Sequence, residues 1–101
     1  MFDKLFQAQQ KAEEIKKRLD TISVFAEAEG GKIKVVATAN KEIKDISIDA
    51  EFLKQVEHEE LGELLTIAVN KALQQAEDIS QTEMQAATKD MLGGLGGMFG
   101  K

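Results

Sequence analysis

Residues 23–49 read SVFAEAEGGKIKVVATANKEIKDISID, and the way this stretch divides into strands decides the fold. Gly30-Gly31 predicts a tight two-residue hairpin, because glycine enters positive-φ conformations without steric cost. A second break is predicted at Asn40-Lys41-Glu42, with Asn40 as the residue that tolerates left-handed geometry. Between the breaks, Ile33, Val35, Ala37 and Ala39 alternate with Lys32, Lys34, Val36 and Thr38, the period-two pattern of a half-buried strand. In the preceding strand Val24, Ala26 and Ala28 oppose Phe25, Glu27 and Glu29. In the following one Ile46 and Ile48 oppose Ile43, Asp45, Ser47 and Asp49. The stretch therefore reads as a three-stranded antiparallel meander. Its more polar face keeps Phe25, Val36 and Ile43, which are the candidate dimer contacts, since a three-stranded sheet leaves two edges to be covered.

Helices flank the meander. From about Asp3 to about Thr21, the apolar residues Leu5, Ala8, Ala12, Ile15, Leu19 and Ile22 recur at three–four spacing, a heptad seam. At 1.5 Å per residue this helix is about 30 Å long against roughly 20 Å for a typical strand, so it should overhang the sheet or pair with another helix. After the meander, Asp49 is placed to cap a short helical turn whose apolar side is Phe52, Leu53 and Val56. A long last helix opens at His58-Glu59-Glu60, where clustered carboxylates suit the positive end of the helix dipole. Its stripe is Leu61, Leu64, Leu65, Ala68, Val69, Ala72, Leu73, Ala76 and Ile79, and the alanines permit close approach to a sheet. Past Ile79 the stripe thins to Met84, Ala87 and Met91, so this end is expected to project. Residues 1–92 are assigned to one domain, and the glycine-rich residues 93–101 to a flexible tail carrying Leu95, Met98 and Phe99.

Composition excludes several classes of function. A chain of 101 residues with 43% hydrophobic content suits one small domain, and three strands need helices or a second subunit to cover them. The absence of cysteine removes disulfides, thiolate metal sites and a cysteine nucleophile. His58 is the only histidine, which leaves neither a zinc-type ligand set nor a serine triad. The tail glycines match neither phosphate-loop pattern: Phe99 stands where GxGxxG ends, and Leu95 where the Walker motif begins. The expectation is a non-enzyme with no cofactor, no metal and no small-molecule substrate. No membrane span or signal peptide is read, so the expected location is cytoplasmic.

The net charge of −5 argues against nucleic acid until its distribution is considered. Residues 1–22 carry five basic and four acidic side chains, whereas residues 51–90 carry three basic and nine acidic ones. Lys4, Lys11 and Arg18 recur every seven residues along one stripe of the first helix, with Lys16 and Lys17 nearby. Such a ridge can track phosphates, which need only positioned cations. From charge alone the favoured reading is the charged flank of a coiled coil, pairing with glutamates of a partner helix.

Several runs in order resemble one family across nearly the whole chain. They are Gln7-Ala8-Gln9-Gln10 on the first helix, Gly31-Lys32-Ile33-Lys34-Val35, then Ile46-Ser47-Ile48-Asp49 with Phe52-Leu53. Glu63-Leu64-Leu65 follows, leading into Ala68-Val69-Asn70-Lys71-Ala72, and the series ends with the Met84–Leu92 stretch before Gly93-Gly94. Together they resemble the small bacterial nucleoid-associated proteins of the YbaB/EbfC type. The resemblance implies an α+β fold of order α-β-β-β-α, homodimeric, with two long helices projecting from the sheet like tweezers. It also implies DNA binding by the helices, without catalysis, in the bacterial nucleoid. The candidate DNA contacts are Lys4, Lys11, Lys16, Lys17 and Arg18, joined by Lys71 and Lys89 of the last helix. The alternative is an adaptor or holdase that clasps a protein partner between the same helices. Relative to the family pattern, Ala50 stands where a proline is usual, and a glycine is missing near Asn40-Lys41.

Overall fold

The computed structural model describes the backbone of residues 2–98 and the side chains of residues 6–89. Strands β1 (Ser23–Ala28), β2 (Ile33–Thr38) and β3 (Ile43–Ile48) form one antiparallel sheet in the order β1-β2-β3. Helix α1 (Phe2–Asp20) precedes it, and α2 (Ala50–Gln55) and α3 (His58–Met98) follow. The α-β-β-β-α order expected from the sequence is the observed one. Asp49 caps α2 as expected, accepting a 3.0 Å hydrogen bond from the Phe52 amide.

The core lies between the sheet and α3. Val24, Ala26 and Ala28 of β1 and Ile33, Val35 and Ala37 of β2 are buried on one face. Against them stand Ala68, Ala72 and Ala76, each 0% exposed and spaced four residues apart on one stripe of α3. Methyl side chains let the helix axis approach β1 and β2 closely, and Leu61, Leu64, Leu65, Val69 and Ile79 fill the margins. The 41 residues of α3 extend for about 60 Å at 1.5 Å per residue, far beyond strands of six residues. The resulting molecule measures 65 × 26 × 18 Å, with a radius of gyration of 19.4 Å. A compact chain of this size would have a radius of about 13 Å, so the overhanging helices dominate the shape.

Both turns differ in detail from the sequence expectation. The last β1–β2 pair is Ala28 with Ile33, so four residues connect the strands rather than two. Glu29, Gly30 and Gly31 all take positive φ (53°, 63° and 92°), and the Lys32 amide donates to the Glu29 carbonyl to close the turn. In the second turn Lys41, not Asn40, takes the left-handed conformation, at φ 68°. Asn40 is used differently: its side-chain amide donates to the Lys16 carbonyl (2.8 Å) and to Asp20 Oδ1 (2.5 Å). It thereby ties the C-terminal end of α1 to the β2–β3 turn. Replacing Asn40 with Ala should lower unfolding stability by about 1–2 kcal/mol, read from urea denaturation, because both bonds are lost at once.

A β-bulge corrects the assignment of one dimer candidate. Val36 pairs with Asp45, but the next residue, Ala37, pairs with Ile43, leaving Lys44 as the extra residue. Directly paired residues share a face, so Ile43 joins Ile46 and Ile48 on the core side, not Phe25 and Val36 on the other. Strict alternation along β3 could not reveal this, because one inserted residue reverses the facing of everything before it. The glycine-rich stretch differs as well: the helical backbone of α3 runs on to Met98, with no break at the expected boundary after residue 92.

Candidate nucleic-acid interface

Among the described residues, the seam of α1 is buried only toward the helix's C-terminal end. Leu19 is 4% exposed and Ile15 and Ile22 are half-buried, whereas Ala8 and Ala12 are exposed and Phe6 is 61% exposed. The N-terminal part of α1 thus stands away from the body. Lys11, Lys16, Lys17 and Arg18 are exposed along it. The side chain of Lys4 lies outside the described residues.

These cations do not form a single ridge. At 100° per residue, Lys11 and Arg18 share a stripe, while Lys16 and Lys17 point roughly 120–140° away from it on opposite sides. The Lys11–Arg18 stripe faces α3: with Glu14 and Ile15 it lines a cleft of about 100 Å³ whose far wall is Glu83 and Ala87. Arg18 Nε lies 3.4 Å from Glu83 Oε2 across that cleft. For Arg18, pairing with a glutamate of a neighbouring helix is therefore realised within the chain itself. Lys16 and Lys17 look outward beside the β2–β3 turn, where Asn40 bonds the Lys16 carbonyl.

The two candidates on α3 are far apart. Lys71 sits against the sheet, its Nζ donating to the Glu27 carbonyl at 3.3 Å. Lys89 lies eighteen residues further along, about 27 Å by helix geometry, in a shallow surface depression with Gln81, Met84, Gln85 and Thr88. Only Lys89 is on the projecting part of α3. One cation near the α1 cluster escaped the sequence reading. Lys41, at the left-handed position of the β2–β3 turn, forms an ion pair with Glu77 of α3. The hydrogen bond from Lys41, aided by one from Gln81, holds the Glu77 carboxyl below the usual carboxylate range. Its signal in the sequence was faint: a lysine next to a turn asparagine.

The remaining chemistry is sparse. His58 is exposed at the start of α3, 3.9 Å from Glu59. Among the described residues no three His, Cys, Asp or Glu side chains converge on a metal-sized site, and no helix is long and apolar enough to cross a membrane.

The model of the YbaB/EbfC DNA-binding family matches residues 1–91. The chain belongs to this family. A nucleoid-associated protein of Flavobacterium johnsoniae is 35% identical over 98 residues, covering 97% of this chain and 91% of that one. A nucleoid-associated protein of Thermoanaerobacter pseudethanolicus is 40% identical over 85 residues, covering 81% of this chain and 77% of its own length. The crystal structure of an uncharacterised protein from Helicobacter pylori superposes with a TM-score of 0.65 over 77% of this chain and 90% of that one. At 18% identity that likeness speaks for the fold alone. Family membership places this chain among DNA-binding proteins of the YbaB/EbfC type. It leaves to the individual residues how the DNA is held.

Proposed function

We propose that this YbaB/EbfC member binds duplex DNA in the bacterial nucleoid as a homodimer, through phosphate contacts from its projecting helices and without catalysis. The observation that carries this reading is the exposure of Lys11, Lys16 and Lys17 on a helix whose N-terminal half stands off the sheet. Cations so presented can follow a phosphate backbone without base-reading side chains. Arg18, Lys89 and the backbone position of Lys4 extend the same arm, and Lys71 lies toward its base. Dimerisation doubles the set of cations, so the second arm engages at high effective concentration once the first is bound. The direct test is anisotropy of a labelled duplex titrated with the protein at several salt concentrations. A steep loss of affinity with salt supports phosphate contacts, and affinity that ignores salt overturns them.

The second copy is proposed to sit on the core-side face of β3. Helix α3 packs over β1 and β2, while Ile43 and Ile46, side by side on that same face, remain 36% and 43% exposed. Leu53 on α2, just after β3, is 50% exposed. Phe25, 66% exposed, and half-buried Val36 mark the opposite face as the competing contact. Ile46→Asp should convert the dimer to monomer in light scattering after size exclusion, while Phe25→Asp leaves it intact. The reverse outcome would move the interface to the outer face.

A further inference from the structure

Two cations at the α1 end of the sheet, Arg18 and Lys41, are paired with acids of α3. Glu83 stands where the apolar stripe Ala72, Ala76, Ile79 would continue, four residues beyond Ile79 on the sheet-side face. Its side chain is only 23% exposed and reaches Arg18 at 3.4 Å. Glu77, 35% exposed, is held by Lys41 and also accepts from Gln81 Nε2 at 3.0 Å. Glu77 and Glu83 are about 9 Å apart along the helix axis. Neither carboxylate belongs to the core cluster, and each rests on a cation at or next to the proposed DNA-binding arm.

We infer that α3 carries an internal counter-anion: Glu77 and Glu83 occupy Lys41 and Arg18 in the free protein, and DNA phosphates displace them on binding. The inference rests on the DNA-binding reading above. It adds Lys41 to the contact set and assigns the two glutamates the role of setting affinity. Each pair is a partly exposed ion pair, so its opposition to binding is modest, and it grows only where DNA competes for the same cation. A latch that merely docks α1 on α3 predicts the opposite effect, because loosening it would disorder the arm and leave binding unchanged or weaker.

Anisotropy titrations of a labelled duplex at fixed salt separate these cases. The variant Glu77→Gln/Glu83→Gln, which keeps hydrogen-bonding capacity and shape, should bind about three- to tenfold tighter than the wild type. Glu60→Gln/Glu63→Gln makes the same change of net charge on exposed residues more than about 20 Å from Glu77 along α3, and should shift affinity by less than about twofold. Equal tightening by both variants would assign the effect to overall charge and overturn the inference, as would unchanged or weaker binding by Glu77→Gln/Glu83→Gln. If circular dichroism finds that double variant unfolded, Glu77→Gln alone, at the more exposed of the two carboxylates, decides the matter by the same criteria. Wild-type protein that fails to bind duplex at any salt would overturn the DNA-binding reading itself, and this inference with it.

Discussion

Reversing Lys11, Lys16 and Lys17 to glutamate is expected to weaken duplex binding by at least about a hundredfold near 0.1 M salt. Each phosphate contact contributes about 0.9 to the slope of log affinity against log salt, hence about 0.9 log units at that salt relative to 1 M. Three lost contacts then remove close to three log units per protomer, before any added repulsion from the new carboxylates. The substitutions should leave the fold intact, because all three side chains are exposed and none lies in the core. The slope of the salt dependence should fall by about 3 per protomer. A triple variant with wild-type affinity and slope would remove α1 from the interface. Comparison of Lys16→Glu/Lys17→Glu with Lys11→Glu alone further separates the outward-facing pair from the residue that lines the cleft toward α3.

Truncating Ile33 to Ala is expected to be the most damaging single change to stability, about 2–5 kcal/mol. Ile33 is 0% exposed at the start of β2, paired with Ala28 on one side and Ile48 on the other. It is one of the two largest fully buried side chains, with Val35. Six of the eight other buried residues of the core cluster are alanines, which have no spare atoms to move into the space left behind. For a domain of this size each kcal/mol shifts the melting temperature by about 4–8 °C, so a fall of roughly 8–40 °C should appear in a thermal melt. A shift below a few degrees would mean that the cavity collapses or that a second subunit supports the site. Repeating the melt over a range of protein concentrations distinguishes these, because only coupling to association makes the midpoint depend on concentration.

The core was legible because it rests on periodicity. Alternation in residues 24–39 and the i, i+4 alanines of α3 mark buried positions, and the same residues are buried in the fold. Ile43 was not legible, because the extra residue at Lys44 carries no composition signal and changes only which way its neighbours face. Asn40 was recognised as a turn residue, but its bonds to Lys16 and Asp20 span 24 and 20 positions of sequence. The basic residues of α1 were legible as charges. Which of them are free was not, since the acids that take Arg18 and Lys41 lie on the last helix.

The sequence alone therefore determined the order of elements, the residues of the core and the family, because local pattern and composition suffice for these. Only the tertiary structure decided the face of Ile43, the bare side of β3 and the division of the cations into outward-facing and paired. Those properties depend on register and on contacts between distant segments, and both are set by how α3 lies across the sheet.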